Sequence, residues 1–173
     1  TSIDGDVQWT GDGGNVMEKL EEEQALIVGT IETKSINSAI ELRFRDGTTV
    51  STSGGSVLTI ADDGQKKLYL RSGILSADVK EPPFKRPMVV VTPTARLEIL
   101  GTRFDVMANP ERSKVSVRHG LVRAVRSSDG KSVDVAEGHS AIASSDVQHE
   151  FLSRRSDQAV HGWKANLEQE RKQ

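Results

Sequence analysis

Four histidines are the natural candidates for proton transfer or metal binding: His119, His139, His149 and His161. No two of them sit three or four residues apart, and none sits beside a carboxylate at a spacing that specifies a metal. His119 and His139 each adjoin a glycine, Gly120 and Gly138, and read as turn or surface residues. A Ser-His-Asp set assembles only in space, but the Gly-x-Ser-x-Gly elbow that would present its nucleophile does not occur. Asp4-Gly5-Asp6 and Asp12-Gly13-Gly14 place carboxylates beside glycines, the raw material of a calcium loop. They lack the spaced oxygen ligands and the closing glutamate, and turn chemistry explains them better. Gly11, Gly13 and Gly14 form no phosphate cradle, because no strand is expected before them and no Lys-Ser/Thr follows. Trp9 offers a sugar platform or a core plug; with aromatics at 4% of the chain a sugar-binding stack has little material, which favours the plug. No residue is therefore assigned as catalytic, cofactor-binding or metal-binding, no cofactor is expected, and no partner-binding residue is picked out.

The elements behind these residues are strands. The phrase apolar-x-apolar-x-x-Gly is written three times, at Leu68–Gly73, Val115–Gly120 and Val133–Gly138. Alternating apolar residues describe a half-buried strand, and the closing glycine a turn or bulge. Ile40, Leu42 and Phe44 alternate in the same way before Asp46-Gly47, a tight-turn pair. Asp62-Asp63-Gly64 and Asp129-Gly130 repeat that punctuation, so turns recur every ~8–12 residues, the rhythm of a sandwich, barrel or solenoid. Met88-Val89-Val90-Val91-Thr92 is dense in β-branched residues and is expected at the centre of a sheet. Pro82, Pro83 and Pro87 make the stretch before it an exposed connection or an edge. From about Ser156, Ala159, Val160, Trp163 and Leu167 follow helical spacing.

Composition narrows the function. With 25 acidic and 23 basic residues the net charge is −2, which gives no electrostatic reason to seek nucleic acid or an acidic membrane. Cysteine is absent, excluding disulfides and thiolate metal sites. The longest apolar run, Met88 to Val91, is far below the ~18–20 residues of a membrane helix. The chain begins at Thr1 without methionine, the expectation being a processed or excised piece whose membrane anchor lay in a preceding segment.

Taken in order, the pieces resemble the FecR domain of FecR-type sigma regulators. They are Gly29-Thr30-Ile31-Glu32-Thr33, Ala39 to Thr48, Leu68 to Gly73, Arg86-Pro87 with Val89 to Pro93, Leu100-Gly101-Thr102-Arg103-Phe104-Asp105-Val106, Val115 to Gly120, and Glu137-Gly138. The Leu-Gly-Thr-x-Phe-x-Val piece after an apolar-Thr-Pro strand is the most specific. The resemblance implies an all-β periplasmic domain without catalytic residues, preceded in such regulators by a cytoplasmic anti-sigma segment and one membrane helix. An outer-membrane receptor, often a TonB-dependent siderophore transporter, is the partner class implied. After Ala143 only about thirty residues remain, too few for the α/β receptor-docking domain that follows in many iron-signalling members.

The expected architecture is all-β, with many short, mainly antiparallel strands in a sandwich- or solenoid-like arrangement plus a C-terminal amphipathic helix. The expected organisation is a FecR-like domain over 1–146 and a helical tail or linker over 147–173. The expected function is a non-enzymatic periplasmic sensor or relay that works through a protein partner in the envelope, with nucleic acid excluded. The alternative is an envelope structural or glycan-binding module. Gly73, Gly101, Gly120 and Gly138 are expected to be architectural.

Overall fold

The computed structural model of the protein describes residues 1–21, 28–81 and 86–156. The expected C-terminal helix (Val160, Trp163, Leu167) and Pro82-Pro83 lie outside the described residues.

Among the described residues the fold is fifteen strands in one continuous sheet. In chain order they are β1 (Ser2–Asp4), β2 (Val7–Gly11), β3 (Val16–Met17), β4 (Gly29–Thr33), β5 (Ala39–Arg43), β6 (Thr49–Asp62), β7 (Lys66–Asp78) and β8 (Met88–Val91). They continue as β9 (Ala95–Ile99), β10 (Arg103–Ala108), β11 (Arg112–His119), β12 (Leu121–Arg126), β13 (Ser132–Ala136), β14 (His139–Ser144) and β15 (Arg154–Arg155). Every pairing is antiparallel except β7 with β8.

The organising element is the long hairpin β6–β7, whose two halves belong to different parts of the sheet. Val57–Ile60 of β6 pairs with β4, while Thr49–Ser53 pairs with β5. On β7, Lys67–Tyr69 pairs with β8, and Gly73–Asp78 with β10. The sheet thus folds over at mid-hairpin into two layers, β3-β2-β4-β6-β7-β8-β9-β12-β13 and β1-β5-β6-β7-β10-β11-β14-β15. One hydrophobic core gathers side chains of both layers, from Ile31, Leu58 and Leu97 on one to Leu42, Leu75 and Val115 on the other. Sandwich describes this arrangement, and solenoid does not.

The bend is made by small residues. The β6–β7 register slips between Ser53 and Val57, opposite Gly73, and again between Val57 and Leu58, opposite Arg71. On β7 the inward side chains are Leu68 and Leu70 before Gly73, and Leu75 and Ala77 after it. A one-residue slip moves every side chain to the other face. The slip at Val57/Leu58, where β7 carries Arg71 as an extra residue two positions before Gly73, makes that switch, so both halves of one strand feed one core. Gly73 has φ 104, a region an L-residue rarely enters. The Ser56 hydroxyl fills the space where a side chain would stand, accepting from Ile74 N–H at 2.9 Å and donating to the Ser53 carbonyl.

The remaining turns follow local chemistry. The β5–β6 hairpin closes on Asp46-Gly47, with Gly47 N–H to Phe44 O at 3.0 Å and Thr48 N–H to the Asp46 carboxylate at 3.0 Å. Gly64 and Gly130 hold positive φ in the β6–β7 and β12–β13 turns. β8 lies between β7 and β9 with Met88, Val89 and Val90 buried, as its β-branched run predicts. A strand, β2, does precede Gly11, contrary to the sequence expectation. The glycines after it close the β2–β3 hairpin, with Gly14 N–H on Gly11 O at 2.9 Å.

Candidate interaction surface

Two chain crossings between the layers lie side by side and build one corner of the sandwich. Leu100-Gly101-Thr102 carries the chain from β9 to β10, and Gly120 carries it from β11 to β12. Gly101 has φ 58 and Gly120 φ 90. A Cβ on Gly120 would stand 2.9 Å from Thr102 Oγ1 and 3.0 Å from Gly101 O, so the crossings touch only because that side chain is absent. Thr102 is 1% exposed. Its hydroxyl lies 3.0 Å from Leu100 O and 2.9 Å from Leu121 O, and its single proton goes to one of them. Val79 N–H donates to Thr102 O at 2.9 Å and ties the end of β7 to the same joint.

This joint leaves apolar side chains outside. Leu100 is 38% exposed and Leu121 49%, and both belong to the residues whose carbonyls Thr102 addresses. Next to them is an open cleft of about 470 Å³ lined by Asp78, Val79, Lys80, Glu81, Gly101, Thr102, Arg103 and His119. Its charges are locally balanced. Arg103 Nε meets Asp78 at 3.0 Å, Lys80 meets the same carboxylate at 3.5 Å, and His119 Nδ1 lies 2.9 Å from Glu137. Across Val79-Lys80 a smaller cleft of about 180 Å³ is lined by Asp46, Lys66, Arg86 and Met88 among others. There burial pushes the Asp46 carboxyl up, but the Lys66 ammonium and the Thr48 N–H outweigh it and its pKa is lowered. Lys66 also lies 5.1 Å above the Phe44 ring.

The other residues singled out by type are scattered. His139 Nδ1 faces Glu137 O at 3.0 Å, His149 lies 3.9 Å from Asp146, and His161 is outside the described residues. Among the described residues no three His, Asp or Glu side chains gather in a way that could hold a metal ion. Trp9 packs against the core and across Gly11 and Gly29, where a Cβ would come within 2.7 Å and 2.6 Å of its ring. That is the plug position.

Sequence reasoning missed Arg126. It is 1% exposed, and its guanidinium forms two bonds to Asp129, one of them 3.0 Å from Nε. It also donates to His149 O at 2.7 Å and Val147 O at 3.4 Å, and lies 5.4 Å from the Phe151 ring. The Arg126 guanidinium holds the Asp129 carboxyl down to about 2. Its signal was in the alternation, because Val122, Ala124 and Arg126 share the inward face of β12.

Fold and corner together define a class: an all-β domain whose single sheet is doubled over one core, with Leu100 and Leu121 exposed at the two adjoining crossings. The chain belongs to the FecR protein family, whose model matches residues 29–123 and so includes both crossings. Two crystal structures share the fold, each of a candidate anti-sigma factor from Parabacteroides distasonis ATCC 8503. One is 20% identical with a TM-score of 0.64, over 75% of this chain and 60% of that one. The other is 22% identical with a TM-score of 0.64, over 78% and 63%. The chain thus spans less than two thirds of either neighbour's length. No curated protein matches the sequence. Among the described residues no helix is long and apolar enough to cross a membrane.

Proposed function

We propose that this is the periplasmic sensor or relay domain of a membrane-anchored, FecR-type regulator of an extracytoplasmic-function sigma factor. It works without catalysis, by contact with an envelope protein. Family membership supports the regulator role, and the fold shared with two candidate anti-sigma factors is consistent with it. The observation that carries the reading is the corner. Leu100-Gly101-Thr102-Arg103-Phe104, the most specific of the family-like pieces, is spent on joining two crossings and on presenting Leu100 and Leu121 beside an open cleft. Exposed apolar residues next to a cleft with polar walls are the composition of a protein-binding site, where a buried apolar centre supplies affinity and a polar rim supplies register.

The test compares the purified domain with its Leu100→Asp and Leu121→Asp variants in capture from an envelope extract, beside a glycan-binding screen. The reading expects one retained protein that both variants lose while their melting curves stay cooperative. Glycan affinity with no protein partner would favour the envelope-module alternative. Retention unaffected by either substitution would place the contact elsewhere.

A further inference from the structure

Beyond β14 the chain crosses the open end of the sandwich as a strap, residues 145–156. From Ser145 to Glu150 every residue is exposed, Phe151 is 7% exposed, and Leu152 is 52% exposed. One side chain of the strap is therefore buried. Phe151 enters an apolar slot between the layers whose walls include Ala95 and Ala124 on one side and Ala141 and Ala143 on the other. Four alanines leave the width an aromatic ring needs. Beneath the strap Arg126 holds its main chain through Val147 O and His149 O, and backs the Phe151 ring. Two further bonds tie the ends, Ser145 N–H to Glu111 O at 2.8 Å and Ser156 N–H to Gly138 O at 2.9 Å. The strap's own strand, β15, pairs with β14 over two residues.

We propose that the strap is a detachable latch: it opens at Phe151 without disturbing the sheet, and so couples the chain that follows Ser156 to the interior of the sandwich. A segment with one buried side chain and a two-residue ladder belongs to the low end of local stability. Opening also has a compensation. Arg126 is a fully buried cation, and lifting the strap returns water to its guanidinium while its bonds to Asp129, in the adjoining turn, are kept. A partner that engages the chain beyond Ser156 would draw Phe151 out and uncover the slot. This inference does not depend on the proposed function or on the corner surface.

The test is native-state hydrogen exchange on the full chain, wild type and Phe151→Ala. In the wild type the amides of Arg154 and Ser156, the ones in the β14–β15 ladder, should exchange at least tenfold faster than those of β4, β6 and β7. In Phe151→Ala they should gain a further tenfold or more, while the β4, β6 and β7 amides keep their rates. Wild-type strap amides that exchange at the core rate would overturn the latch. So would a Phe151→Ala protein that accelerates everywhere by the same factor, or one that does not fold, since either makes Phe151 part of the global unit.

Discussion

Replacing Gly73 by alanine tests the bend that makes one sheet into two layers. Gly73 has φ 104, and an added Cβ would stand 2.0 Å from Ser56 Oγ and 2.6 Å from Ser56 Cα. The left-handed backbone alone costs a side-chain-bearing residue about 1–2 kcal/mol. Contact with a backbone atom has to be relieved by moving β6, an overpacking cost of about 1–3 kcal/mol. That movement also breaks the 2.9 Å bond between Ser56 Oγ and Ile74 N–H, worth about 1 kcal/mol. The loss should be about 3–6 kcal/mol, a large share of the ~5–15 kcal/mol that holds a domain folded. Gly138 is the control, because it ends the same six-residue phrase. It has φ 75, but nothing lies within 4 Å of its Cβ position, so only the backbone cost applies. Thermal melts of Gly73→Ala and Gly138→Ala should then differ by about 5–15 °C, taking ~2–4 °C per kcal/mol for a chain of this size. If the two variants melt within about 2 °C of each other, the close approach at the bend is not what Gly73 is for.

The remaining predictions concern the corner, the core and the latch. Thr102→Val keeps the shape but removes the hydroxyl between Leu100 O and Leu121 O; it should cost about 1–2 kcal/mol by urea titration, and no loss would show the joint to be held by packing alone. Phe104 is fully buried, and Phe104→Ala should cost about 3–5 kcal/mol in the same titration. Asp129 has its pKa held from 3.8 down to about 2 by Arg126, so its contribution is complete above 3.8 and fades as pH falls toward about 2. Asp129→Asn should flatten the stability-versus-pH curve across that window; an unchanged acid slope contradicts the pairing. Asp134→Asn removes the partner of an exposed arginine, Arg123, and should leave the urea midpoint where it is.

What was legible in the sequence was local. Asp46-Gly47, Asp62-Asp63-Gly64 and Asp129-Gly130 mark hairpins because Asp and Gly accept turn geometry whatever surrounds them. The buried β-branched run of β8 could be read for the same kind of reason. Pairing could not, because it is set by contacts far apart in sequence: β8 runs parallel to β7 across a connection, and β10 returns to the far half of β7. The face switch on β7, made just before Gly73, was visible as Leu68 and Leu70 changing to Leu75 and Ala77, yet its meaning depends on the fold-over. The thrice-written phrase also hid three settings. Gly73 meets Ser56, Gly120 meets Thr102, and Gly138 meets nothing. Nothing local marks Leu100 and Leu121 as neighbours, and only the adjacency of the two crossings brings them to one corner. Arg126 was missed because a cation on an inward face is costly unless paired, and its partners come from a turn and from carbonyls of a segment over twenty residues away.

The central claim is that the corner of Leu100 and Leu121 meets a protein. The most direct measurement is site-specific photocrosslinking of the protein in its native cells, with the probe at Leu121 and, as a control on the outer face of the sheet, at Ser51. The account predicts a single discrete protein adduct from position 121 and none from position 51. No adduct at 121, or the same adducts from both positions, would contradict it.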